Sequence, residues 1–423
     1  MRGLERALAI AVVPAALAVA FLLGWHHRAP SPDAGDAFPP LTTVAVDTAA
    51  LHAEALEHYA AGRFAPACEG FRRAAHRDPD RGTGRDVARC FEGWGWHVLR
   101  AGRAAEAARL FQQGLSAVPD DPALLGALGI ASIHDGRADD ALASLERAAG
   151  ADGDPEVRML LARLYDQRDE AERAVRHLEA VLERQPEHGA ARRLLDKVER
   201  ERAVEAGFAR HATAHFVVKH RGTADDPAVR AVVRSLEAAR ERVGRLLRYH
   251  PAEPLTVVLY EERQFRSVAR VHGWVTGLFD GKIRLPLAGG LPPAAALDRL
   301  VAHEYAHAVI HALSRGRAPR WLHEGWAQAL EGATIDPLLR VPGRLTLVGL
   351  EALVTDPDPV RARAGYDIAL WVVQDLDQRE GRHGLRALVE RLGAGDSLTV
   401  AMAAVYGLRL AELEAQWAAF LGT

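Results

Sequence analysis

Ala107, Ala141 and Ala174 stand 34 and 33 residues apart, each inside a copy of one short motif. The copies read "GRAAEAARLFQQGLSAVPDDP" from Gly102, "GRADDALASLERAAGADGDP" from Gly136 and a worn "DEAERAVRHLEAVLERQP" from Asp169. An earlier copy, "GRFAPACEGFRRAAHRDP", starts at Gly62. Each ends in a proline-containing turn, at Pro79, Pro122, Pro155 and Pro186. The spacing predicts two helices per copy. Gly permits the turn between them, and the small Ala lets them approach closely. One pair cannot bury its apolar face alone, so the pairs must stack into a curved solenoid. The step from Ala67 to Ala107 is six residues too long. That predicts an irregular first repeat or a longer loop near Arg81–Gly84.

The period and the Gly and Ala positions resemble the tetratricopeptide repeat. The resemblance covers residues 51–204 and implies about four helix–turn–helix units with a concave surface for a peptide or a protein partner. The array ends in "DKVERERAVEAGFARHAT", where Val198, Val204 and Phe208 stand among charges without a Gly/Ser/Pro-rich break. This reads as a helix that caps a solenoid and continues onward.

Ahead of the repeats, Arg2 and Arg6 precede an uncharged stretch from Ala7 to Trp25. As a helix it rises about 28 Å, close to the thickness of a hydrocarbon core. Residues 1–28 are therefore expected to be a membrane anchor or a signal segment. The apolar core exceeds that of a usual signal peptide and no clean cleavage site follows, which favours an uncleaved anchor. The expected location is the cell membrane, single-pass, with the bulk periplasmic or extracellular. The alternative is secretion after signal cleavage. Residues 29–50, rich in Pro, Asp and Ala, read as a linker. The two cysteines, Cys68 and Cys90, are too few for a cysteine-rich zinc site. They are expected as small buried apolar residues, with a disulfide open only in an oxidising compartment. The net charge of −3, from 53 basic and 56 acidic residues, offers no excess for nucleic acid. Only Lys197, Lys219 and Lys282 among the basic residues are lysine.

The period is lost after about residue 205. "HFVVKH" (215–220) and "LTVVLY" (255–260) are β-branched runs and read as strands. "TGLFDGKIRLPL" (276–287) reads as a strand or hairpin turning at Asp280-Gly281. From Pro292 onward the pattern is mostly helical. The fold class expected is an α solenoid followed by an α+β domain over 205–423, mostly α overall.

Within that domain, residues 300–311 read "LVAHEYAHAVIH". His303 and His307, four apart, share one helix face and can grip one zinc ion, Zn2+. Glu304 stands beside the metal, where it can take a proton from water. A metzincin would have Gly at 310 and His at 313, but the chain has Ile310 and Leu313, so that pattern fails. Downstream lies "PRWLHEGWAQALEG" (319–332), with Glu324 placed on a second helix after a turn at "SRGRAP".

The W-L-x-E-G-x-A fragment after H-E-x-x-H resembles the gluzincin metallopeptidases, specifically the peptidase MA-like family. The resemblance covers roughly residues 205–423. It implies Glu324 as third zinc ligand, beside His303 and His307, and Glu304 as catalytic base. "AGYDIALWVVQDLDQREGRHGLRALVERLGAG" resembles that family's C-terminal helical part, and Tyr366 matches a residue that can reach the oxyanion. Gln328 and Glu331, one and two turns past Glu324, are candidates to hydrogen-bond a ligating His. His311 reads as a half-exposed helix residue, His323 as structural and pointing away from the metal. Trp321 and Trp326 are expected to pack the second helix. The strand at 278–287 is either an active-site edge or an ordinary sheet edge.

The leading expectation is an exported or membrane-anchored zinc metallopeptidase that hydrolyses a protein or peptide substrate, with repeats that bind protein. The alternative is an envelope scaffold whose solenoid binds partners and whose zinc domain is inactive or structural. Hydrolysis of a non-peptide amide in the cell wall stays open.

Overall fold

The computed structural model describes residues 46–78, 83–150, 153–223, 226–269, 277–287, 290–335 and 346–421. The expected anchor (1–28), most of the linker and Pro79 lie outside the described residues. None of the described helices is long and apolar enough to cross a membrane. The described residues form two compact units, one of residues 46–164 and 173–192, the other of residues 165–172 and 193–421.

Nine helices among the described residues carry the repeats: α1 (Val46–Ala60), α2 (Phe64–Arg77), α3 (Thr83–Arg100), α4 (Ala104–Ala117), α5 (Pro122–His134), α6 (Ala138–Ala149), α7 (Pro155–Gln167), α8 (Ala171–Arg184) and α9 (Gly189–Glu205). Gly62, Gly102 and Gly136 each take a left-handed conformation (φ 70, 80 and 76°) at the turn inside a pair. Asp169 holds the same place in the worn copy with φ 62°, a conformation Asp tolerates better than most residues. Ala67, Ala107, Ala141 and Ala174 are all fully buried between their helices.

The long first interval is taken up mainly by α3, which has 18 residues where α5 has 13, so the first repeat is irregular, one of the two expectations. Two features of this region correct the sequence reading. Helix α1 opens at Val46, inside the stretch read as linker; Thr48, His52 and Ala55 share one face and bury it. Finally, Cys68 of α2 and Cys90 of α3 are disulfide-bonded, with Cα atoms 5.4 Å apart. Both are buried as expected, but they are not free thiols.

The second unit holds a five-stranded sheet of β1 (Ala209–Ala212), β2 (Phe216–His220), β3 (Leu255–Tyr260), β4 (Leu278–Phe279) and β5 (Ile283–Pro286), in the order β1-β2-β3-β5-β4. The β2–β3 and β3–β5 pairs are parallel; both edge pairs are antiparallel. Period-2 alternation sends Phe216, Val218, Val257, Ile283 and Leu285 to one face. There they pack into one core with α10 (Pro227–Leu247) and α12 (Ala294–Ser314). The other face carries Val258, Tyr260 and Leu278, covered by Phe265 of α11 (Glu262–Ala269).

That second face also carries charge. Register aligns Lys219, Val258 and Arg284 across three strands. Lys197 Nζ lies 2.7 Å from Asp166, 2.9 Å from Glu201 and 3.2 Å from Asp280. Lys282 reaches Glu201 at 3.1 Å and Asp169 at 3.5 Å, and Lys219 reaches Asp169 at 2.8 Å and also Glu205. Arg284 is paired to Glu201 at 2.9 Å and Asp280 at 3.1 Å, and donates to the Tyr260 hydroxyl, which donates to Glu205. All three lysines of the chain are in this network. A compact ammonium on a flexible stem can face several carboxylates out of one plane, while the guanidinium of Arg284 spreads its donors within one. Burial disfavours the charge on Glu201, but Arg284, Lys282 and Lys197 hold its pKa well below the usual carboxylate range.

Five further helices complete the unit: α13 (Arg320–Glu331), α14 (Leu347–Val354), α15 (Pro359–Ala394, kinked at Gly381), α16 (Leu398–Tyr406) and α17 (Leu410–Leu421).

Candidate metal centre

Helix α12 is buried from Leu300 to Ile310, so its polar residues lie inside the protein. His303, Glu304 and His307 are each at most 1% exposed. Helix α13 runs beside it. Its first two backbone N–H groups, of Arg320 and Trp321, both donate to the Glu351 carboxylate of α14 at 3.1 Å. This satisfies helix-terminal donors that would otherwise be unpaired. Trp321 and Trp326 are buried in the core. Gly325 brings α13 against α15, because a Cβ there would overlap the Ala369 carbonyl.

These contacts bring together the three residues that the sequence singled out as ligands. Glu324 Oε2 lies 3.5 Å from His303 Nε2 and 3.6 Å from His307 Nε2. One donor atom from each of the three lies within 4.8 Å of the others. Zinc–donor bonds of 2.0–2.1 Å at tetrahedral angles place donors roughly 3.4 Å apart. Neither ring nitrogen of His307 makes a hydrogen bond among the described residues, nor does Nε2 of His303. Buried nitrogens without partners are costly, and a cation between them and Glu324 removes that cost. Two imidazoles and a carboxylate are a usual donor set for zinc. The residues therefore fit the ion.

Glu331 lies 3.2 Å from His303 Nδ1, on the side away from Glu324. Gln328 does not meet a histidine. Its Nε2 donates to the Tyr366 carbonyl at 2.8 Å and so ties α13 to α15. Of the two candidates, only Glu331 meets a histidine; Gln328 Nε2 also donates to the Glu324 carbonyl at 3.4 Å. The Tyr366 hydroxyl is hydrogen-bonded to Glu324. His323 is buried with its ring 5.7 Å from that of His307, outside the donor group. His311, half-buried, packs on Phe279 at 5.5 Å.

The electrostatics follow the geometry. Burial opposes charge on His303, but Glu331 and Glu324 outweigh it and push its pKa up to about 10. Burial together with His303 pushes His307 well down. Burial raises Glu304 well above the usual carboxylate range. Neither Glu304 oxygen has a hydrogen-bond partner among the described residues. Its near neighbour is the backbone of Gly277, just before β4, where a Cβ would overlap Oε1. Sequence reasoning missed Gly277, because nothing local marks a glycine that meets a residue 27 positions on.

Comparison with known proteins bears on the repeats. Residues 98–164 and 133–198 match the family model of the tetratricopeptide repeat. The chain thus carries tetratricopeptide repeats, a class of helical array whose curved surfaces bind proteins. No curated protein matches the chain. Among solved structures the chain is similar to the MamA protein, at 15% identity over 37% of this chain and 82% of that one, TM-score 0.29. It is also similar to a thermophilic TPR protein of Thermus thermophilus, at 22% identity over 36% of this chain and 82% of that one, TM-score 0.25.

Proposed function

We propose that the chain is an exported or membrane-anchored zinc hydrolase of the gluzincin type, acting on peptide bonds. One observation carries this reading: His303, His307 and Glu324 converge with buried donor atoms beside Glu304. His303, His307 and Glu324 would hold the zinc, and Glu331 would fix the His303 ring. Bound zinc would supply Lewis acidity, making hydroxide available near neutral pH. Glu304 takes the proton from the attacking water and returns it to the leaving amine. Its isolation from other hydrogen-bond partners leaves the carboxylate available for both transfers. The Tyr366 phenol, kept neutral by burial and by Glu324, donates where negative charge develops on the carbonyl oxygen. The disulfide supports an oxidising compartment, in line with the basic and apolar N-terminal segment.

The family match favours a second reading more directly, because it falls on the repeats. On that reading the solenoid is a scaffold for a protein partner and the zinc domain does no chemistry. The presence of Glu304, which neither folding nor metal binding needs, supports the first.

One experiment separates them. The purified chain is assayed for zinc by elemental analysis and for cleavage of a mixed peptide library by mass spectrometry. Wild type is expected to hold one zinc and to cleave. Glu304→Gln should keep the zinc and lose about 10²–10⁴-fold in rate. His303→Ala and Glu324→Ala should lose the zinc. Zinc without cleavage in wild type favours the scaffold reading, and no zinc at all ends the hydrolase reading while leaving the scaffold one standing.

A further inference from the structure

The β4–β5 hairpin joins two buried polar groups of the same unit. At one end, the backbone of Gly277 is pressed against the Glu304 carboxylate. At the other, Asp280, Lys282 and Arg284 enter the ionic network. The strands themselves are short, with Leu278 and Phe279 pairing only Arg284 and Ile283. β5 is fixed by its parallel pairing with β3, but the edge limb that follows Gly277 is held by two pairs only. Charge adds to this. Asp280 is held by Lys197 of α9 at 3.2 Å and by Arg284 at 3.1 Å. Lys282 is held by Glu201 of α9 at 3.1 Å. Gly281, at φ 102°, packs on the stem of Gln167. Three residues of the hairpin are thus clamped by side chains from 166–169 and α9, far from the candidate ligands in sequence.

We propose that this network is a positioning device for the catalytic base: it fixes the hairpin so that the Gly277 backbone stays against Glu304. The inference rests on the reading of Glu304 given above. Asp280 and Lys282 are positioning residues, acting on Glu304 only through the hairpin. The arrangement has a clear physical rationale. A buried carboxylate without hydrogen-bond partners keeps one orientation only if the walls around it are rigid. A glycine wall lies close enough to do this, but has no side chain to lock itself in place. The ionic clamp a few residues later supplies the rigidity.

The test uses the full zinc-loaded chain and two substitutions that do not touch each other. Asp280→Asn removes one charge from a cluster with several other carboxylates, so folding should survive; Lys282→Met is the stronger variant. Hydrogen exchange is followed by mass spectrometry in the hairpin (277–287) and around Glu304 (300–311). Asp280→Asn should speed hairpin exchange about tenfold and leave zinc at one per chain. Gly277→Ala forces a methyl group into Glu304 and should speed exchange around 300–311. In the double variant the freed hairpin moves away, and that second effect should shrink at least threefold. Distant independent sites would instead show additive effects. Unchanged hairpin exchange in Asp280→Asn, or additive effects in the double variant, overturns the proposal. Absence of zinc from wild type counts against the metal reading, not against the clamp, whose exchange arms can be read without metal.

Discussion

Two buried polar groups lie in the same compact unit, and their difference is instructive. In the ionic network every charged side chain faces an opposite charge within 3.5 Å, all supplied by the chain. In the group of His303, Glu304, His307 and Glu324, buried imidazole nitrogens and carboxylate oxygens converge, and those of His307 and Glu304 lack hydrogen-bond partners among the described residues. Glu201, Lys282 and Arg284 are buried as deeply as the histidines, although Lys197 and Lys219 are only half-buried, so burial alone does not separate a structural cluster from a site for a ligand. What separates them is completeness. In the network each charge is paired within the chain, whereas the His307 nitrogens and the Glu304 oxygens have no such partner among the described residues, an arrangement that the proposed zinc would complete.

The sharpest way to break this comparison is acid. Cationic partners hold Glu201 well below its ordinary range, and Asp169 and Asp280 are lowered in the same way, against the opposing effect of burial. For carboxylates depressed on folding, the stabilisation is complete above the unfolded pKa near 4 and is lost as pH falls through the folded values. The metal-free chain is therefore expected to lose the sheet-containing unit cooperatively below about pH 4, followed by near-UV circular dichroism. A sheet signal that persists unchanged to about pH 2 would show that the network contributes nothing.

Single substitutions sharpen the same contrast. Lys282→Met strands buried carboxylates and should cost about 3–5 kcal/mol in urea unfolding. Glu304→Gln, in metal-free protein, replaces a partnerless buried carboxylate with a neutral amide and should cost nothing measurable or stabilise. Equal losses for the two would erase the distinction. Zinc acts in the opposite sense on the incomplete group. At about 100 times its dissociation constant, an ion that binds only the folded state adds about 2.7 kcal/mol. That gain should vanish in His303→Ala and persist in Asp280→Asn.

The two groups also differ in how readable they are from sequence. The candidate ligands are legible because H-E-x-x-H fixes two side chains on one helix face and Glu324 falls on a recognisable second motif. The repeats are legible for a similar reason, since Gly102, Gly136 and their alanines recur at a fixed period. The network is not. Asp166, Glu201 and Glu205 look like the solvated charges of amphipathic helices, Asp169 like a turn residue, and Lys219 and Lys282 like strand-edge charges. Their partners are set by topology: Lys282 and Asp169 are 113 residues apart. One signal is available, the confinement of lysine to three positions in an arginine-rich chain. The Cys68–Cys90 pairing is equally hidden, because it depends on how α2 packs on α3. Gln328 and Glu331 share a plausible face, and only the packing of α15 decides which of them meets a histidine.

The last predicted effect concerns Gln328, which belongs to neither group yet supports one of them. Its amide donates to the Glu324 carbonyl at 3.4 Å and to the Tyr366 carbonyl at 2.8 Å. Gln328→Leu leaves that buried carbonyl without its donor, at a cost of about 1 kcal/mol. Zinc affinity should not change, since His303, His307, Glu324 and Glu331 are untouched. Hydrolysis should fall, because the bond that ties α13 to α15 helps to set where the Tyr366 hydroxyl stands relative to Glu324. The loss should approach but not exceed that of Tyr366→Phe, which removes the donor itself and is worth about 10²–10³-fold if Tyr366 stabilises the oxyanion. The double variant should then be no worse than Tyr366→Phe alone, because both changes act on the same hydroxyl. Additive rate losses would show that Gln328 acts by another route, and weakened zinc binding in Gln328→Leu would place it with the ligand supports instead.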